Sequence, residues 1–172
     1  MKVFISWSGL RSKKLADGLR RWLPLVLQNV IPYMSSEDIQ TGTRWRHSIS
    51  SELESSNFGI LCLTPENLRA PWMHFEAGAI SKTIENSRVV PMLFDLNPSD
   101  IIAPLDQFQA SIFDEAGVRN VLRSINTVAG EEGLGESHLE QVFIALRPQF
   151  AEVISTLEPK LIPLSQVGQY VV

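Results

Sequence analysis

Hydrophobic positions along the chain change period several times, and each change predicts an element. Residues 2–6 carry a short Val3-Phe4-Ile5 run that stops at Ser6-Trp7-Ser8-Gly9, a small-residue turn suited to closing a buried strand. From Arg11 onward, Leu15, Leu19, Trp22 and Leu23 recur at helical spacing while basic residues occupy other positions. This is an amphipathic helix that Pro24 is expected to end or kink. Residues 28–34 hold a weaker apolar run interrupted by Pro32, read as a second strand, and residues 35–43 form a polar loop. Trp45, Ile49 and Leu53 stand four apart and predict a helix over 44–55. Residues 58–63 are apolar throughout, as in a strand buried on both faces of a parallel sheet. Pro71 suits a helical first turn, so a third helix is expected over 72–85, and residues 88–96 hold a fourth strand.

Strands alternating with helices at this spacing argue for βαβ units, hence an α/β fold with a parallel sheet and helices on both faces. After Asn97 the rhythm loosens. A short helix is expected within 100–108, an edge strand over 110–113, and another helix over 115–128. Residues 129–137 form a Gly- and Glu-rich loop. Leu139, Val142, Phe143, Leu146, Phe150, Val153, Ile154 and Leu157 then keep a helical stripe, with Pro148 as an expected kink. This last helix is expected to pack on the sheet. The reading divides the chain into one domain over 1–158 and an apolar tail over 159–172, whose single charge suits docking on the domain or on a partner.

Composition narrows the class. A 172-residue chain that is 44% hydrophobic and 20% charged fits one globular domain. No apolar run approaches the ~20 residues needed to span a bilayer, and the start lacks the features of a secretory signal. A soluble, cytoplasmic protein with no membrane partner is expected. Cys62 is the only cysteine, and with His47, His74 and His138 scattered it builds no metal site of recognised spacing. The net charge of −4 offers no general attraction to nucleic acid. Arg11, Lys13, Lys14, Arg20 and Arg21 cluster near the start, and a solvated helix face is the expected reading of that run.

The motifs that mark common dinucleotide, triphosphate, serine-hydrolase and zinc-protease sites are missing from the sequence. In open α/β sheets, however, ligands bind beyond the carboxyl ends of the strands. That selects residues 6–9, 37–45 and 64–76, and the turn after Leu96. Within this set Glu76 stands out, because Trp72-Met73-His74-Phe75-Glu76-Ala77-Gly78-Ala79 contains no other acid. A partly buried carboxylate there would have a raised pKa. Trp72 precedes it by four positions and so shares its helix face, an aromatic plate beside a lone acid that suits a ring-bearing ligand. The same residues also fit a plainer role, with Glu76 capping a helix or pairing with an Arg and Trp72 in the core.

The order of these segments resembles a family. Val3-Phe4-Ile5-Ser6-Trp7-Ser8, Ser35-Ser36-Glu37-Asp38-Ile39 with Gly42-Thr43-Arg44-Trp45, the strand at 58–63 and the Trp72 to Ala79 helix resemble a Toll/interleukin-1 receptor (TIR) domain of the prokaryotic branch. The likeness covers residues 1–96 well and continues weakly to 157. It implies a flavodoxin-like three-layer fold with strand order 2-1-3-4-5. For many bacterial and plant members it also implies cleavage of NAD+ at the nicotinamide glycosidic bond. On that likeness the catalytic acid falls on Glu76, the W-x-x-x-E helix signature on Trp72 and Glu76, the first-strand loop on Ser6, Trp7 and Ser8, and the mobile substrate loop on 38–45, with Asp38, Gly42 and Trp45 as binding residues. Trp7 departs from the His or Tyr often found after the first-strand serine.

The implied chemistry needs little equipment. Nicotinamide leaves a cationic pyridinium as a neutral base, so no general acid is required, only stabilisation of an oxocarbenium-like sugar. One carboxylate supplies that, and Trp72, Trp7 or Trp45 could stack on a ring or simply pack. NAD+ is then the substrate and no cofactor is implied. The products would be ADP-ribose or a cyclic isomer. Two other readings remain open: a non-catalytic adaptor acting through TIR–TIR contact, and a nucleoside deoxyribosyltransferase. Read as a whole product, the chain resembles the stand-alone signal-producing TIR proteins of anti-phage systems such as Thoeris. The resemblance then implies self-association and a separate effector activated by the nucleotide product.

Overall fold

A strand that buries residues on both faces is stable only with both faces covered, and β1 (Lys2–Ser6), buried from Val3 to Ser6, and β3 (Phe58–Leu63), buried throughout, occupy such places. The computed structural model describes residues 1–34, 55–69, 88–103, 105–155 and 157. Within them lies a five-stranded sheet of order β2-β1-β3-β4-β5, completed by β2 (Ile31–Met34), β4 (Arg88–Leu93) and β5 (Ser111–Ile112). Every pairing is parallel. The flavodoxin-like α/β expectation is met, in strand order as well as class.

Differences from the sequence reading have local causes. β2 begins at Ile31 instead of residue 28, because Val30 N–H bonds Leu27 C=O and the Met1 ammonium bonds Asn29 C=O at 2.7 Å, which commits that stretch to a turn. Pro32 is tolerated because β2 is an edge strand, opposite Val3. The helix α1 (Leu10–Val26) passes through Pro24 instead of ending there. Only its last residues lie beyond the proline, and Leu27 N–H still reaches Leu23 C=O at 2.9 Å. β4 stops at Leu93, before Asp95, whose φ of +54° is left-handed and cannot continue a strand.

Within 100–108, where a short helix was expected, lies a 3-10 turn, Leu105–Gln107, and another, Pro98–Asp100, precedes it. Asn97 N–H donates to the Asp100 carboxylate at 2.7 Å and closes the first turn locally. The helix α2 (Glu115–Ala129) starts at the Asp114 carboxylate, which accepts from Gly117 N–H at 2.7 Å. The helix α3 (Glu136–Ser155) continues past Pro148. The helices expected at 44–55 and 72–85 fall, but for the turn residue Ser55, outside the described residues, as does the tail over 159–172.

The helix α3 packs on α1 and α2, and its Leu139, Phe143 and Phe150 share one core with Val3, Ile60 and Met92 of the sheet. Trp22 sits against Phe143 and Phe150 and donates its indole N–H to Leu146 C=O at 3.0 Å. Gly18 lets the helices close: a Cβ there would meet Val153 Cγ1 at 2.0 Å. These contacts run antiparallel, so the end of α3 comes back toward the start of α1. One apolar core fills the layer between these helices and the sheet, and a second gathers Phe4, Leu61, Leu63, Val89, Leu93, Leu96 and Leu105. No helix among the described residues is long and apolar enough to cross a membrane.

Candidate functional site

In a parallel sheet all strands deliver their next residues to one rim. Here that rim holds Ser6 to Gly9 after β1, Thr64 to Asn67 after β3 and Phe94 to Leu96 after β4, with the first turn of α1 beneath them. Gly9, at φ +82°, swings the chain from β1 into α1.

Ser6 and Trp7 are buried, and Ser8 is half-buried. The Trp7 ring belongs to the main core, with the Lys13 ammonium 4.8 Å from its centroid. Its indole N–H is buried and has no hydrogen-bond partner among the described residues. Ser8 is fixed at both backbone groups. Its N–H donates to the Ser12 hydroxyl at 3.3 Å, and its C=O accepts from the Asn67 amide at 3.1 Å. The Ser12 hydroxyl donates to Cys62 C=O at 2.8 Å, and the Asn67 amide reaches the same oxygen at 2.9 Å. The Asn67 carbonyl accepts from Thr64 N–H at 2.8 Å.

A second tie is charged. Arg11 donates to Glu66 at 3.2 Å and to the Asp95 carboxylate, and its guanidinium lies 4.7 Å from the Phe94 ring centroid. Partial burial opposes ionisation of Glu66. A hydrogen bond from its own backbone N–H, with the charge and hydrogen bond of Arg11, outweighs it and holds the carboxyl below its usual range. Of the basic run read as a solvated face, Lys14, Arg20 and Arg21 fit that reading. Arg11, with only 14% of its side chain exposed, does not. Cys62 lies fully buried in β3, which pushes its thiol pKa far up and leaves it no nucleophile.

The family model for the TIR domain matches residues 3–122. The chain belongs to the TIR domain family. No curated protein matches it closely enough to count as a relative. In this TIR domain the rim carries the first-strand loop that sequence reading selected, whereas Asp38, Gly42, Trp45, Trp72 and Glu76 lie outside the described residues. Arg11, Ser12, Asn67 and Asp95 were not singled out in the sequence. The one signal available was Thr64-Pro65-Glu66-Asn67 directly after an apolar strand, a turn-forming tetrad. A separate open concavity of about 950 Å³ lies at the other end of β4, against β5 and α2, lined by Phe58, Arg88, Ile112, Asn120 and Arg123. Of the selected stretches it takes in only Pro98, from the turn after Leu96, and the rim is the better candidate because it collects the strand ends. Among the described residues no cluster of His, Cys, Asp or Glu is placed to hold a metal ion.

Proposed function

We propose that this TIR domain cleaves NAD+ at the bond between nicotinamide and ribose, with Glu76 as the catalytic acid residue in its anionic form. The observation that carries the reading is family membership over 3–122 in a chain that keeps Trp72 and Glu76 in W-x-x-x-E spacing. Support comes also from the rim, where a Trp7 indole N–H with no partner among the described residues and a pinned Ser8 stand at the end of the first strand. The chain runs from Asn67 on that rim to Glu76 in nine residues.

Chemically, a carboxylate beside the ribose stabilises the positive charge that develops as neutral nicotinamide departs. Water or a second nucleophilic atom of the same dinucleotide then takes the sugar carbon, giving ADP-ribose and a proton or a cyclic isomer. Ser6, Ser8, Asp38, Gly42, Trp45 and Trp72 complete the binding set in this proposal. Assembly of copies would complete the site, and a separate effector would read the product, as in anti-phage signalling.

Purified protein incubated with NAD+, both as monomer and under induced assembly, tests this. Release of nicotinamide should fall about 100- to 1000-fold in Glu76→Ala, the usual cost of removing a preorganised electrostatic group. Equal turnover in both proteins removes Glu76 from the mechanism. Absence of turnover in the wild-type chain, with biological activity intact in Glu76→Ala, favours the adaptor reading, which family membership alone also accommodates.

A further inference from the structure

Asn67 uses the full geometry of a carboxamide, and that points to a role beyond its own turn. The residue is buried, only 3% exposed, and the two ends of its side chain face opposite chemistry. The oxygen accepts from Thr64 N–H, and the nitrogen donates to both Cys62 C=O and Ser8 C=O. Reversing the amide would set donor against donor and acceptor against acceptor, so the orientation is fixed by its partners. An aspartate could keep the first bond but would turn an acceptor toward two carbonyls. Backbone bonds from Asn67 N–H and Leu68 N–H to Thr64 C=O, each at 3.1 Å, hold the turn from below. Ser12 in the first turn of α1 completes the network by accepting from Ser8 N–H and donating to Cys62 C=O.

We infer that Asn67 is a positioning residue that couples the Ser6–Ser8 loop to the Thr64–Asn67 turn, so that the loops after β1 and β3 keep one spacing at the rim. The inference rests on the proposed NAD+ cleavage for its catalytic consequence, but the mechanical coupling stands on the described residues alone. Between Ser8 and the Thr64–Asn67 turn the tie is made by side-chain hydrogen bonds and not by a β-ladder, since the strand pairing of β1 with β3 ends at Ser6 and Leu61. Beyond that point nothing periodic keeps the two loops in register. A buried amide with every group satisfied does so with little freedom.

The experiment is amide hydrogen exchange and NAD+ kinetics on the full chain with Asn67→Asp, Asn67→Ala and Ser12→Ala. In Asn67→Asp, exchange at Ser8 should accelerate about tenfold or more, while Thr64, whose acceptor survives, and α2 stay at the wild-type rate. In Asn67→Ala, Thr64 should accelerate as well. Turnover should fall roughly 10- to 100-fold in kcat with KM changed by less than about threefold, because misplacement by an ångström acts on alignment in the transition state. A role confined to folding would instead speed exchange throughout the domain and leave kcat per folded molecule unchanged. Either that pattern, or wild-type exchange at Ser8 in folded Asn67→Asp, overturns the inference. If Asn67→Asp does not fold, Asn67→Ala decides: faster exchange at Ser8, whose own acceptor Ser12 is intact, with a reduced kcat upholds the coupling, and wild-type values for both sink it; Ser12→Ala, which removes that acceptor, gives the exchange rate of a released Ser8 N–H for comparison. A wild-type chain that does not cleave NAD+ defeats the proposed function, and the exchange pattern then decides the coupling by itself.

Discussion

The two halves of α1 are held by opposite kinds of force. Toward its end, Gly18 and Trp22 meet Val153, Phe143 and Phe150 of α3 in a close apolar seam. At its start, Arg11 and Ser12 reach polar partners on the loops after β1, β3 and β4. The seam anchors the helix, and the rim end uses that anchored helix to hold loops that have no strand pairing of their own. Stability is therefore concentrated at one end of the helix and positional control at the other. A protein arranged this way can lose rim contacts and stay folded.

The strongest way to break that division is at the seam. Trp22→Ala should cost about 3 to 5 kcal/mol, since it empties a large aromatic site and leaves Leu146 C=O without the indole donor. Urea unfolding measures it, and a loss below about 1 kcal/mol would mean that the seam collapses around the gap.

At the rim the expected effect is much smaller. Arg11→Ala should cost under about 1 kcal/mol per pair removed, because Glu66 and Asp95 are 45% and 49% exposed and water screens their half of each bond. Raising salt to about 1 M shortens the screening length to ~3 Å and should erase much of the difference between the two proteins. A salt-independent loss would instead locate the contribution of Arg11 in its packing on Phe94.

The smallest effect sharpens the comparison through pH. The Glu66 carboxyl is held below its ordinary pKa in the folded chain, so in the interval between the two values the unfolded chain binds more protons. Its contribution is complete above the unfolded pKa and is lost as pH falls through the lowered folded value. Stability curves of wild type and Glu66→Gln measured downward from neutral pH should converge slightly at the acid end, and the convergence should shrink in Arg11→Ala. Parallel curves would show that Arg11 and its companions exert no net hold on that acid.

Much of the architecture was legible because it rests on period. Phe58 to Leu63 could only be a central strand, and Leu15, Leu19, Trp22 and Leu23 could only share one buried face. What period missed were places where one local bond decides the outcome. Asp95 takes left-handed backbone and ends β4, and the Asn97–Asp100 bond closes a turn just ahead of the stretch where a helix was expected. The rim was legible as a place, since strand ends follow from the strands. Its working contacts were not, because Arg11, Asn67 and Asp95 lie tens of residues apart in sequence and none carries a motif.

By itself, then, the sequence determined the alternation of strands and helices, the family, and the acid on which the proposed chemistry turns. These depend on short-range spacing and on residue identity. Only the tertiary structure decided that an asparagine after β3 grips the loop after β1, that one arginine of a basic run leaves the solvent to meet two carboxylates, and that α3 seats on α1 through a glycine. Hydrogen bonds and close packing act over a few ångströms, and folding alone brings residues from separate strands within that distance.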